Sequence, residues 1–360
     1  MSYKILAVNP GSTSTKIGVY EGENELFTES VTHSDEELKK YDRVVDEFDM
    51  RKENILKALE KHGVDVKELS AVVGRGGQLV NIHAGGYLVT EDMKKRLTDS
   101  STIEHASNLG ALIADAIAAP LGLPAYIYDA VGSDEMEEIA KVTGMPEVVR
   151  QSFCHVLNSK AMARKAAAEM GKTYQEMNFI VAHLGGGISV SAHEKGRIVD
   201  AIPADGGPFS PERSGSIPLN YIIDMCYSGT FSKRDMKKKV SGMGGIKAYL
   251  GTSSCIEVEK MIQDGNELAK KVFQAQAYQI AKGIGELLPV LKGKADAIIL
   301  TGGVAHSQML TQWIKEYVST LAPVLVMPGE NELEALSAGA LRILKGEEEA
   351  ESYKDCRKNQ

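Results

Sequence analysis

The chain has 360 residues, 43% of them hydrophobic and 25% charged, with a formal net charge of −8. That length admits two domains with real cores, and the negative balance argues against a general nucleic-acid binder. No apolar run reaches the roughly 18 residues of a membrane helix, no cleavage pattern follows the first apolar run, and Cys154, Cys226, Cys255 and Cys356 show no CxxC or ligand spacing, as expected of separate reduced thiols in the cytoplasm.

Lys4 to Val8 reads as an apolar strand that runs into the turn Asn9-Pro10-Gly11-Ser12-Thr13-Ser14-Thr15-Lys16, and a second strand follows directly. Small residues let backbone N–H groups approach an anion and hydroxyls add donors, so the turn reads as a phosphate cradle. It lacks the Gly-Lys-Ser/Thr of a P-loop. A charged helical stretch is expected over Asp35 to Lys61, then a short buried strand, Ala71 to Gly74, ending at Arg75-Gly76-Gly77. Glu104 to Ala119 reads as a helix stopped by Pro120 and Pro124, followed by a strand, Ala125 to Tyr128, with Asp129 at its end.

Strong helix formers fill Asn158 to Met170. The run Phe179 to Ala192 then repeats the opening: strand, polar His183, glycine turn Gly185-Gly186-Gly187, strand. Asn9 to Gly22 matches His183 to Gly196 in residue type, position by position, which suggests two related halves, each on its own sheet. Beyond it lie a loop with a central arginine (Gly206 to Gly215) and a basic stretch, Lys233 to Lys239, read as a solvated helix face. A long helix follows over Asn266 to Leu291. A buried strand from Ala297 ends at Gly302-Gly303, a helix covers Glu332 to Leu344, and a charged tail, Gly346 to Gln360, is expected to fray.

Three glycine turns thus follow strands, where ligands of such sheets collect. Together they suggest a nucleotide, with two turns at its phosphates and the third, at Gly302 and Gly303, at its nucleoside. Taken alone, Arg213 reads equally as a surface residue, His155 as a half-buried histidine before a helix, and Asp129 as a cap or turn residue.

The combination NPGSTSTK (9–16), GRGG (74–77), HASNLG (105–110), YDA (128–130), CHVLNSK (154–160), HLGGG (183–187), ERSG (212–215), TGG (301–303) and GENELEAL (329–336) resembles the acetate kinase/butyrate kinase family, within the superfamily of sugar kinases, heat-shock chaperones and actin. The resemblance implies an α/β fold of two similar actin- or ribonuclease H-like domains, each a mixed sheet flanked by helices, with a nucleotide cleft between them. It places the first domain at 1–150 plus about 333–360 and the second at 151–332.

The same resemblance implies ATP-dependent, in-line phosphoryl transfer to a short-chain carboxylate. The carboxylate is already ionised and acts as the nucleophile, so no general base is needed. Arg75, Asp129, His155 and Arg213 become the catalytic set, with the arginines gripping carboxylate and phosphoryl oxygens. Asn9, Gly11, Ser12, Thr13, Lys16, His183, Gly185, Gly186, Gly187, Gly302 and Gly303 become the ATP and phosphate contacts. Asn9, Asp129 and Glu332 become Mg²⁺ ligands, partly through water, although Glu330, Glu332 and Glu334 crowd one segment.

Arg75, Gly77, His105 and Cys154 line the expected acyl pocket. Related acetate kinases carry Phe and Val where this chain has Cys154 and Gly77, and the lost bulk favours butyrate over acetate. Isobutyrate, acetate or propionate are the alternatives within the family. A sugar kinase, or a binder that uses nucleotide without catalysis, are the alternatives outside it. Family members are homodimers or larger, so a homo-oligomer is expected, with no nucleic-acid or membrane partner.

Overall fold

The computed structural model describes residues 2–102 and 104–354. Two compact units emerge: the chain up to Asp134 together with the chain from Asn331 onward, and Glu135–Glu330. The division falls earlier than the expected 150 because the segment after Asp134 is tied into the second unit. Glu135 accepts from the Ile198 N–H and pairs with buried Lys160 at 2.8 Å, and the Glu137 N–H donates to the Val199 carbonyl.

In the first unit the strands are β1 (Lys4–Pro10), β2 (Ser14–Glu21), β3 (Asn24–Thr32), β4 (Ala71–Arg75), β5 (Gly86–Leu88) and β6 (Ala125–Tyr128). With the short Glu351–Ser352 strand they form one sheet, in the order 351–352, β5, β6, β4, β1, β2, β3. The second unit holds β7 (Asn178–Leu184), β8 (Ile188–Glu194), β9 (Arg197–Ile202), β10 (Ala297–Gly302) and β11 (Val324–Pro328), in the order β11, β10, β7, β8, β9. Strands β3-β2-β1-β4-β6 and β9-β8-β7-β10-β11 share both order and sense: two antiparallel pairings, then two parallel ones. The repeat is therefore real, but it slips by one residue across the turn. Asn9 faces Lys16 across its hairpin, whereas His183 faces Ser189, so Ser189 is the structural counterpart of Lys16.

Strand β1 is buried on both faces, which is why its sequence is continuously apolar rather than alternating. Leu6 and Val8 pack with Ile55 and Leu59 of the Phe48–Lys61 helix and with Leu109 and Ile113 of the Asn108–Ala118 helix. The Glu332–Lys345 helix packs on β1, β2, β4 and β6 and brings the C-terminal chain back to the first sheet. In the second unit the Glu267–Leu287 helix buries Phe273, Ile280 and Ile284 against β7 and β8.

Several expectations change. The helical stretch expected over Asp35 to Lys61 breaks into Asp35–Leu38, a tight turn at Val44–Glu47 and Phe48–Lys61. The helix expected from Glu104 starts at Asn108, and the long helix tightens at Leu288–Leu291, where Pro289 lacks the N–H that would continue it. The tail does not fray throughout. Glu351–Ser352 pairs with β5, Tyr353 is buried, and Glu348 accepts from the Tyr128 hydroxyl at 2.6 Å. Apolar and hydrogen-bonding groups in an otherwise charged segment account for that docking, while 355–360 of that tail, and Cys356, lie outside the described residues. Lys233–Val240 is a helix with only Met236 buried, as the basic stretch suggested. Cys154, Cys226 and Cys255 are not joined in disulfides. Among the described residues no helix is long and apolar enough to cross a membrane.

Candidate active site

In the first unit, the turn between β1 and β2 leaves Ser12, Thr13 and Lys16 exposed beside buried Asn9. The Asn9 amide donates to Glu332 Oε2 at 2.5 Å. Arg75, the last residue of β4, pairs with Glu332 Oε1 at 3.0 Å and donates to Asn9 Oδ1 at 3.4 Å. Three candidates scattered through the sequence therefore meet in one cluster. Of the crowded acids it is Glu332, the first residue of its helix, that reaches Asn9, while Glu330 and Glu334 are exposed.

His105 lies beside Arg75. Partial burial, and then the arginine's charge, push its imidazole below the ordinary histidine range. Its Nδ1 accepts from the Ser107 N–H at 3.1 Å, so a local turn also holds the ring. Asp129 is buried in the left-handed region at φ 42°, a strained backbone of the kind that concentrates at functional sites. Its Oδ1 accepts from the Gly85 N–H at 2.8 Å, so the turn role exists alongside any other. The room expected at Gly77 is filled. A Cβ there would lie 2.4 Å from Asn108 Oδ1 and 2.8 Å from a Leu97 methyl, so glycine is needed for helix packing rather than to vacate pocket volume.

In the second unit, His183, next to last in β7, stacks on His155, with ring centroids 3.8 Å apart and planes 12° apart. His155 precedes the Val156–Glu169 helix, and its Nδ1 lies 2.8 Å from Ser189 Oγ at the start of β8. The Asn158 amide donates to His183 Nδ1 at 3.0 Å and to Thr301 Oγ1 at 3.1 Å, at the end of β10. An amide N–H can only donate, so His183 Nδ1 accepts and its ring proton sits on Nε2. Phe153, two residues before His155, is held at φ 25°, a second strained position at the candidate residues, and Cys154 is buried between them.

The glycine loop is tied to the arginine loop through Ser210, which is fully buried. Its hydroxyl donates to the Gly186 carbonyl at 2.5 Å and accepts from the N–H groups of Glu212 and Arg213. The Arg213 guanidinium lies over Gly187, where a Cβ would come within 2.9 Å of its central carbon. Among the described residues Arg213 is half-buried with no ion-pair partner, unlike Arg75. An uncompensated guanidinium over a glycine loop suits an anion. Gly302 closes β10, its carbonyl accepting from the Gly329 N–H at 3.1 Å, and Gly303 is exposed beyond it.

The structure thus groups Asn9, Arg75, Glu332 and His105 in one unit, and His155, His183, Gly187 and Arg213 in the other. Sequence reasoning missed Asn158, Ser189 and Ser210. Asn158 was within reach, because it falls one helical turn from His155, and Ser189 follows from the hairpin register. Ser210 carried no local signal.

Among the described residues no group of three or more His, Cys, Asp or Glu could hold a metal ion. The Asn9 and Glu332 oxygens still fit Mg²⁺, which keeps several waters and needs only one or two carboxylates.

The chain matches the acetokinase family over residues 4–323. It is 49% identical over 355 residues to a protein from Listeria monocytogenes serovar 1/2a named probable butyrate kinase, covering 98% of this chain and 100% of that one. Its fold resembles Porphyromonas gingivalis acetate kinase, with a TM-score of 0.77 at 18% identity over 94% of this chain and 99% of that one. It also resembles a propionate kinase from Francisella tularensis, with a TM-score of 0.70 at 19% identity over 93% and 98%. A family match over most of the chain, on a twice-repeated sheet whose strand ends carry the family's motifs, makes this protein a member of the acetokinase family.

Proposed function

We propose that this protein is an ATP-dependent carboxylate kinase whose preferred acceptor is butyrate, forming butyryl phosphate and ADP in a reversible reaction. The observation that carries the reading is the 49% identity, along the whole length of both chains, to a relative named probable butyrate kinase. The guanidinium of Arg213, without an ion-pair partner among the described residues, supports it physically, since an anionic acceptor meeting an anionic phosphoryl group needs available positive charge.

In this reading Arg213 and Arg75 hold carboxylate and phosphoryl oxygens, and His155 donates to the phosphoryl group in transit. With Nδ1 engaged by Ser189, that donation runs through Nε2. The loops at Gly11–Thr13 and Gly185–Gly187, with Lys16 and His183, bind phosphates, and Gly302 and Gly303 lie at the nucleoside. Asn9 and Glu332, with Asp129 as a further acid, would hold Mg²⁺ partly through water, and the ion would supply neutralisation of phosphate charge there. Arg75, paired with Glu332 in this structure, is the guanidinium beside those residues. Cys154 and His105 line the acyl end. The protein works as a homo-oligomer, a reading supported by the Leu219–Tyr227 helix, which leaves Leu219, Tyr221, Ile223 and Tyr227 exposed.

The test is acyl phosphate trapped as hydroxamate, with ATP and acetate, propionate, butyrate, isobutyrate or isovalerate side by side. The highest kcat/KM is expected for butyrate. A preference for acetate would refute the acceptor, and no signal with any acid would refute the kinase.

A further inference from the structure

The opening turn owes its shape to a side chain far away in sequence. Arg51, in the Phe48–Lys61 helix, is 1% exposed. Its Nη1 donates to the Gly11 carbonyl at 2.8 Å, the Ser14 carbonyl at 3.3 Å and Thr15 Oγ1 at 3.1 Å, and its Nη2 donates to the Ser12 carbonyl at 3.3 Å. Glu47, one helical turn earlier, neutralises it, with its Oε2 2.8 Å from Nε and 2.6 Å from Nη2. The remaining carbonyl of the turn, Thr13, accepts from the His33 N–H at 2.9 Å, and His33 Nε2 lies 2.9 Å from Thr15 Oγ1.

Every carbonyl from Gly11 to Ser14 is therefore held inside the protein. In a trans peptide the C=O of one residue and the N–H of the next point in opposite directions. Fixing the Gly11 and Ser12 carbonyls inward turns the Ser12 and Thr13 N–H groups outward. Among the described residues those two N–H groups have no protein acceptor, and both residues are exposed.

We propose that Arg51, braced by Glu47, is a positioning residue that makes the opening turn an anion-binding surface by holding its carbonyls away from the bound phosphate. Arg51 touches no substrate. It acts through the main chain of Gly11, Ser12 and Ser14. The kinase reading enters only in naming a nucleotide phosphate as the anion.

Arg51→Lys keeps the charge but loses the planar fork, and Glu47→Gln keeps Arg51 but loosens its brace. Calorimetric titration with MgADP should show Kd rising about tenfold in Arg51→Lys, the scale of one charge-assisted hydrogen bond, and less in Glu47→Gln. The KM for ATP should rise in step while the KM for the carboxylate stays within about twofold. In Arg51→Ala, millimolar methylguanidinium should restore part of the MgADP affinity, which a merely structural role would not produce. Unchanged MgADP affinity in the folded variants overturns the proposal, and so does an equal loss across both substrates. If Arg51→Lys fails to fold, Glu47→Gln decides. If the wild type makes no acyl phosphate but binds MgADP more tightly than the variants do, the kinase reading fails and the Arg51 clasp on the turn's carbonyls stands. If it makes acyl phosphate while the variants bind normally, the clasp fails.

Discussion

His155 lies face to face with His183, their ring centroids 3.8 Å apart, and each ring is fixed at Nδ1 by a different partner, Ser189 for one and Asn158 for the other. Stacked imidazoles held this way present their Nε2 atoms in a set direction. Ser189→Ala should lower kcat about tenfold, the cost of roughly 1–1.5 kcal/mol for one lost hydrogen bond, with KM values nearly unchanged. His155→Ala should cost roughly 3–4 kcal/mol of transition-state stabilisation. Steady-state kinetics with butyrate and ATP decide, and wild-type kcat in Ser189→Ala would show that the serine only fills space.

Arg213 should be the most sensitive arginine. Arg213→Ala is expected to lose about 100- to 1,000-fold in kcat, and Arg213→Lys should recover little of it, because an ammonium cannot grip two oxygens in one plane. Gly187→Ala should mimic part of the loss by pushing the guanidinium off the loop. Near-normal turnover in Arg213→Ala would remove this residue from the mechanism.

Stability should fall on mild acidification. Burial and then Arg51 hold His33 below the ordinary 6.5. Burial, then Lys160 and Arg164, hold His193 well below it. The unfolded chain takes up these protons near 6.5 and the native chain does not, so stability is full above that pH and declines below it toward the depressed native values. His193 alone contributes up to about 1.4 kcal/mol per pH unit inside that window. Thermal melts from pH 8 to 5 should show the decline, and His193→Gln should flatten it. An identical slope in that variant would assign the acid sensitivity to other groups.

Docking of the tail should matter to the first unit. Glu348 accepts from the Tyr128 hydroxyl and from Arg342 Nε, and Tyr353 is buried near β5. Ending the chain after Gly346 should destabilise the protein by about 3 kcal/mol, as for removal of a buried aromatic side chain. Urea titration measures this, and an unchanged midpoint would mean that the tail rests on the surface without effect.

The strands and the repeat were legible because apolar runs punctuated by glycine leave a strong local pattern. Asn9, Arg75 and Glu332 could be named from motifs, but their meeting could not, because it depends on a helix returning from the far end of the chain. The one-residue slip between Lys16 and Ser189 was hidden, since matching residue types tolerates an offset that strand pairing does not. Gly77 misled for a related reason: a missing side chain looks like space until Asn108 is seen to fill it. Arg51 left no trace, because a buried arginine in a charged helix looks like any solvated one.

The Glu332–Lys345 helix has a consequence for how the molecule is made. Synthesis runs from the N-terminus, yet the first sheet is covered only when this last helix leaves the ribosome. The second unit is continuous in sequence and can fold while the first still waits with one face bare. The half begun first is completed last, and the Asn9–Glu332 pair cannot form until translation is nearly over. A chain truncated before Asn331 would therefore keep every glycine turn in its sequence, yet leave Asn9 without its Glu332 partner and one face of the first sheet without its helix.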